Sequence, residues 1–193
     1  MIKPELRGIY LSKQRSLSPA ERSDKSSSIS NLFFASADLD SVKILHCFVP
    51  IEKFNEIDTM LIFRRIWDEC PHIQTAAPRV VPGSGDMESV LFGPGTDLSL
   101  SAWGIPEPTS PETLDAGSID MILVPTLCFD SRGNRVGYGK GLYDRLLVKC
   151  RKGIPKIGLS YFEPVEEIYD VGGHDVRLDH CVTPKDIFHF RQN

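Results

Sequence analysis

Apolar residues in this chain recur with two spacings, and the spacings separate helices from strands. Between residues 4 and 13, Leu6, Ile9 and Tyr10 fall on one side of a helical turn, so an amphipathic helix is predicted there. A second helix is predicted from Ser18 to about residue 35. Ser18 is a natural cap, Glu21 stands three positions later to reach back, and Pro19 suits the first helical position. The branched run at 42–49 ends at Pro50 and reads as a strand. A helix over 59–69 spreads Leu61, Ile62, Ile66 and Trp67 over its buried side. Residues 75–81 and 88–92 read as strands about the turn at 82–86, and 93–118 reads as loop. The run at 119–124 is too short for a helix and continuously apolar, which suits a strand buried on both faces. A polar turn at 130–135 and a glycine-rich loop then lead to a helix over 142–149, with Leu142, Leu146 and Leu147 on one side. Strands at 155–161 and 181–183 complete the series.

Helices alternating with strands imply an α/β fold: a three-layer α/β/α, Rossmann-like arrangement with a mostly parallel central sheet. With 193 residues and no repeat or linker, one domain spanning 1–193 is expected. Ligands in such sheets sit at the carboxyl ends of strands, and the glycine loop lies at one.

That loop carries the sharpest chemistry. Gly137, Gly139 and Gly141 alternate with Tyr138 and Lys140 between a strand and a helix, while Arg132, Arg135 and Arg145 add positive charge. Strand, loop and helix aim free N–H groups and a positive helix end at an anion. The spacing matches neither Gly-x-x-x-x-Gly-Lys-Ser/Thr nor Gly-x-Gly-x-x-Gly. From spacing alone, phosphate binding and a structural turn stay open. Lys140, between two glycines, has little to pack against and points to a phosphate contact, the alternative being a solvated lysine or a pair with Asp144. The net charge of −4 argues against nucleic acid as a partner. Five cysteines without a Cys-x-x-Cys pair read as thiols of a reducing cytoplasm rather than disulfides or a zinc site. No apolar targeting core or transmembrane-length stretch is present, so a cytoplasmic protein with no membrane partner is expected.

The string Val124-Pro-Thr-Leu-Cys-Phe-Asp130 followed by Gly133-Asn-Arg-Val-Gly-Tyr-Gly-Lys-Gly-Leu-Tyr-Asp144 closely resembles the signature of the 5-formyltetrahydrofolate cyclo-ligase family. Thr126 replaces a usual glycine there, and Leu142 the first of two tyrosines. The resemblance runs end to end, through Lys3-Pro-Glu-Leu-Arg7, Leu17-Ser-Pro-Ala-Glu-Arg22, Phe48-Val-Pro-Ile51, Glu56-Ile-Asp-Thr59, Trp103-Gly-Ile-Pro-Glu-Pro108 and His174-Asp175 with Asp179. Lys53, Phe54 and Asn55 form a slightly longer loop than usual.

The resemblance implies an ATP-dependent carbon–nitrogen cyclo-ligase. Such an enzyme converts 5-formyltetrahydrofolate to 5,10-methenyltetrahydrofolate with release of ADP and phosphate, through an N5-iminium phosphate. It further implies ATP along Lys3, Arg7, Arg135, Gly137, Tyr138, Gly139, Lys140, Gly141, Leu142 and Tyr143, with Lys140 and Arg135 stabilising the transferred charge. Reduced folate would lie against Arg7, Val49, Glu56, Trp103, Tyr138 and Tyr143. Mg2+ would sit on Asp144 and Asp175, with Asp179 a nearby rival for the second position.

Taken without the resemblance, these residues have plainer readings. Lys3 and Arg7 share a helix face as surface charge, Asp144 complements a helix dipole, and Glu56 is an exposed loop carboxylate. Trp103 is either an anchor on the core or a lid over a flat heterocycle, and His46 is a core or edge histidine. A monomer acting on small molecules is expected. The alternatives are a nucleotide-binding regulatory domain, or a sugar-phosphate isomerase or acyl-transfer enzyme on a similar sheet.

Overall fold

The computed structural model describes residues 1–190. It opens with α1 (Lys3–Arg15) and α2 (Pro19–Ser36). The Ser18 hydroxyl accepts the Glu21 N–H at 3.2 Å and the Glu21 carboxylate accepts the Ser18 N–H at 2.8 Å, the reciprocal cap its spacing predicts. Next come β1 (Ile44–His46), α3 (Met60–Glu69), β2 (Gln74–Val80) and β3 (Met87–Leu91). The stretch predicted as loop contains a hairpin of β4 (Leu98–Leu100) and β5 (Pro106–Pro108), then β6 (Thr113–Leu114). β7 (Met121–Pro125) precedes a small hairpin of β8 (Cys128–Phe129) and β9 (Arg135–Val136). The chain continues through α4 (Leu142–Lys149), β10 (Lys156–Leu159), β11 (His180–Val182) and β12 (Ile187–His189).

Eight strands form one sheet in the order β12-β11-β10-β7-β1-β2-β3-β6. The five central strands, β11 to β2, pair in parallel; β12, β3 and β6 add antiparallel edges. Period-two alternation along β7 feeds two cores. Met121 and Leu123 join Ile29 and Phe33 of α2 and Ile62, Phe63 and Ile66 of α3, whereas Ile122 and Val124 join Leu146 and Leu147 of α4. A fully buried side chain of this kind contributes about 1.5–3 kcal/mol, so a strand apolar on both faces is stable only between two helical layers. The predicted α/β/α sandwich with a mostly parallel sheet is therefore what forms.

The first strand is shorter than the predicted 42–49. After His46 only the Cys47 N–H continues the ladder, to the Ala76 carbonyl at 2.9 Å, and the chain then leaves the sheet toward Pro50, which has no N–H to donate. The polar turn at 130–135 proves to be the tip of the β8–β9 hairpin. β12 gave no sequence signal because three residues at an edge carry too little periodicity. They are held by antiparallel pairing to β11.

Candidate active site

The carboxyl ends of the adjacent parallel strands β7, β1 and β2 open onto a cleft of about 580 Å³. Every residue the sequence assigned to nucleotide, folate or metal lines it. They come from five separate segments: α1, the segment after β1, the β4–β5 hairpin, the glycine loop with α4, and the turn before β11. Among the described residues no helix is long and apolar enough to cross a membrane.

At one end lies the glycine loop. Gly141, with φ +63°, is the N-cap of α4, and Gly139 has φ +91°, a region L side chains enter only with strain. A Cβ at Gly139 would stand 3.0 Å from the Arg7 guanidinium carbon, so the glycine lets α1 press its arginine onto the loop. Arg7 Nε donates to the Gly137 carbonyl at 2.9 Å. Lys140 is exposed, its ammonium 5.9 Å from the centre of the Trp103 ring.

Asp144 does not pair with Lys140. Its Oδ1 accepts from Arg135 Nη2 at 2.8 Å and from the Val176 N–H at 3.0 Å. The Arg135 side chain, only 6% exposed, also donates to the Val176 carbonyl. Burial pulls its pKa down, and the Asp144 carboxylate opposes that. Lys3 and Asp175 form a second ion pair beside it. Burial alone would raise the Asp175 carboxyl, but the Lys3 ammonium, the Gly172 N–H and Arg135 outweigh it and hold the group below its usual range. Asp179, the rival to Asp175, instead accepts from the Lys156 N–H at 2.8 Å and pairs with its ammonium at 2.7 Å. His174 is exposed.

Two carboxylates therefore share this wall with two cations. Among the described residues no group of three or more His, Cys, Asp or Glu could hold a metal ion. The donor set suits Mg2+, which takes one or two carboxylates and completes its shell with waters and phosphate oxygens.

The other end is lined largely by apolar side chains around Glu56, and here the expectation of an exposed Glu56 is overturned. Glu56 is 3% exposed, its carboxylate turned back onto the start of its own loop. The chain turns through a left-handed Asn55, φ +56°, and the Ile51 N–H donates to Glu56 Oε2 at 2.7 Å. Burial pushes its pKa up to about 7, moderated by the Ile51 N–H, the Tyr138 hydroxyl and Arg22. Tyr138 turns its ring toward this end, stacked on Phe54 with centroids 5.4 Å apart and planes 20° from parallel. Val49 is buried in the wall. Leu142 and Tyr143 are half-buried, and the Tyr143 hydroxyl is enclosed with no protein partner. Trp103 is 48% exposed, at the mouth rather than anchored in the core, and its carbonyl accepts from Lys53 Nζ at 2.8 Å. His46 is a core histidine: its Nδ1 lies 2.9 Å from Ser89 Oγ, and burial drives its pKa down to about 3.

Three residues of this region escaped the sequence reading. Phe54 lay in the inserted loop, and its stacking has no local signature. Gln14 is a buried amide on a helix face that reads as polar. Glu107, inside the Trp103–Pro108 motif, is buried and accepts the Val80 N–H at 3.1 Å. Its acidic residue between two prolines was the one available hint.

Comparison with known proteins agrees with this geometry. The model of the 5-formyltetrahydrofolate cyclo-ligase family matches residues 1–184. The chain is 28% identical over 185 residues to 5-formyltetrahydrofolate cyclo-ligase of Mus musculus, covering 90% of this chain and 89% of that one. It is likewise 28% identical over 181 residues to the Mycoplasma pneumoniae protein of that name, covering 93% and 96%. The solved structure of Aquifex aeolicus 5,10-methenyltetrahydrofolate synthetase superposes with a TM-score of 0.83 at 30% identity, over 100% of this chain and 95% of that one. The 5,10-methenyltetrahydrofolate synthetase of Mycoplasma pneumoniae does so with 0.74 at 25%, over 94% and 98%. With the family model spanning nearly the whole sequence and the cleft assembled from the same segments that carry its motifs, the chain belongs to the 5-formyltetrahydrofolate cyclo-ligase family.

Proposed function

We propose that the protein cyclises 5-formyltetrahydrofolate to 5,10-methenyltetrahydrofolate at the expense of ATP, as a single cytoplasmic domain acting on small molecules as a monomer. One observation carries this reading: a continuous cleft with a cationic glycine loop at one end and a buried carboxylate among aromatic rings at the other. A nucleotide-binding regulatory domain or a sugar-phosphate enzyme would have no use for the second end.

The N5-formyl group is an amide, and its oxygen is too poor a leaving group for N10 to displace directly. That oxygen attacks the γ-phosphate of ATP and ADP departs, leaving an iminium phosphate. N10 then adds to the formyl carbon, loses its proton, and phosphate leaves. No protein nucleophile is needed. The chain's work is alignment and charge stabilisation. Lys140, Arg135 and the loop amides face the phosphates, with Lys3 and Arg7 reaching in from α1. Glu56 accepts N–H donors of the reduced pterin, which lies among Val49, Tyr138, Tyr143 and Trp103. Asp144 and Asp175 would hold Mg2+, which supplies charge neutralisation on the phosphates. As phosphate oxygens arrive, they offer Arg135 and Lys3 new partners and release both carboxylates.

The test is to follow the ultraviolet absorbance of the methenyl product with ATP and 5-formyltetrahydrofolate supplied together and singly. Product formation that requires both substrates is expected. ATP binding without turnover, or hydrolysis indifferent to the folate, would overturn the reading.

A further inference from the structure

Gln14 is only 4% exposed on the buried side of α1, where an amide must find partners or weaken the fold. Its Nε2 donates to the Phe54 carbonyl and to the Tyr138 hydroxyl, both at 2.8 Å. Asn55 Nδ2 grips the Gln14 main-chain carbonyl at 3.0 Å. The Phe54 carbonyl can only accept, so the Gln14 atom facing it must be the NH₂, which fixes the amide's orientation. The same nitrogen meets the Tyr138 oxygen. That oxygen is therefore the acceptor of this bond, and the single phenol proton is left for another partner. Glu56 lines the same cleft, two residues after the Phe54 ring on which Tyr138 stacks, and the Tyr138 hydroxyl is among the groups that draw its pKa down.

We propose that Gln14 and Tyr138 are positioning residues for Glu56: the amide orients the phenol so that its proton goes to the carboxylate and keeps that carboxylate an acceptor. This rests on the reading that Glu56 receives the N–H donors of the pterin. The Ile51 N–H donates to Glu56 at 2.7 Å, and the Tyr138 hydroxyl is the second donor that the proposal assigns. The other charged and titratable groups facing it are Arg22 of α2, whose Nε donates to the Glu56 main-chain carbonyl at 2.7 Å, and Tyr143 of α4. With its donors in place Glu56 titrates at about 7, so it is divided between acid and carboxylate at neutral pH. Losing a donor would tip it toward the neutral acid, which presents a proton to a ligand that also brings protons.

The experiment is a ¹³C NMR titration of the Glu56 carboxyl carbon in the ligand-free protein, for the native chain, Tyr138→Phe and Gln14→Met. Tyr138→Phe keeps the ring and its stack on Phe54 while removing the hydroxyl. A rise of about one pH unit in the Glu56 titration is expected in Tyr138→Phe, with a shift in the same direction in Gln14→Met. The acid limb of kcat/KM for 5-formyltetrahydrofolate should move upward with it. Should Gln14→Met fail to fold, Tyr138→Phe alone carries the test. An unmoved Glu56 titration in Tyr138→Phe would overturn the proposal and leave both residues a packing role. Shifted titrations in a native chain that does not turn over the folate would instead uphold the positioning chain and sink the functional reading.

Discussion

Asp144→Asn should lower stability, because Asp144 is the partner of the buried Arg135, and, on the proposed function, should also raise the magnesium requirement. Its Oδ1 receives both Arg135 Nη2 and the Val176 N–H. Asparagine keeps an oxygen for the N–H but leaves the guanidinium without its charge partner. Breaking a buried pair from one side costs about 3–5 kcal/mol, since the remaining charge is stranded away from water. Here Arg135 is 6% exposed but Asp144 is 26% exposed, and the Val176 carbonyl and Asp175 still face the arginine. A loss of about 2 kcal/mol is the reasonable figure. For a chain of this size it corresponds to a fall in Tm of about 4–8 °C. Thermal unfolding of the ligand-free protein reads it. Arg135→Met with Asp144→Asn leaves no stranded charge, so the double variant should lose less than the two single losses combined. In the activity assay, Asp144→Asn should need more magnesium for half-maximal rate. Strictly additive losses, or an unchanged Tm with an unchanged magnesium requirement, would refute the reasoning.

Lys140→Met should lower kcat about a hundredfold with little change in folate affinity, since a charge that strengthens on the transferring phosphoryl group acts on the transition state; steady-state kinetics showing an unchanged kcat would remove Lys140 from that role. Glu56→Gln should weaken folate binding by roughly one to two orders of magnitude, as one charge-assisted bond is lost and an NH₂ is turned toward a donor, while ATP affinity measured by separate titration holds. The same substitution should stabilise the ligand-free protein at pH 8. A carboxyl at about 7 in the folded chain and about 4.5 unfolded keeps its proton longer when folded, so native stability falls as pH rises through that window and the amide escapes the loss; a Tm difference between variant and native chain that does not grow from pH 5 to pH 8 would contradict this. Gly139→Ala should reduce stability and raise KM for ATP, because φ is +91° there and the new Cβ would crowd the Arg7 guanidinium; unaltered thermal unfolding and unaltered KM would mean the loop relaxes freely.

Elements specified by local chemistry were legible in the chain. Ser18, Pro19 and Glu21 are enough to start α2, and the limits of α4 could be read from Gly141 and the spacing of its leucines. The run at 119–124 announced a strand buried on both faces. Elements that depend on distant partners were not legible. β12 exists through its pairing with β11, and the β4–β5 hairpin carries prolines at both ends of its second strand, which read as loop. The regular part of β1 is three residues long because the chain beyond it is needed at the cleft.

The same division runs through the site. The sequence by itself determined which groups are available: a cationic loop of alternating glycines, two acidic positions, a tryptophan in a proline-rich turn and a family signature over the whole chain. These depend on residue type and spacing, which are local properties. Only the tertiary structure decided what each group experiences. It buried Glu56, gave Asp144 to Arg135 rather than to Lys140 of the glycine loop, separated Asp175 from Asp179, and drew Gln14 and Phe54 in around Tyr138. Burial, pKa and hydrogen-bond direction depend on contacts between segments far apart in the chain, and no local pattern encodes those contacts.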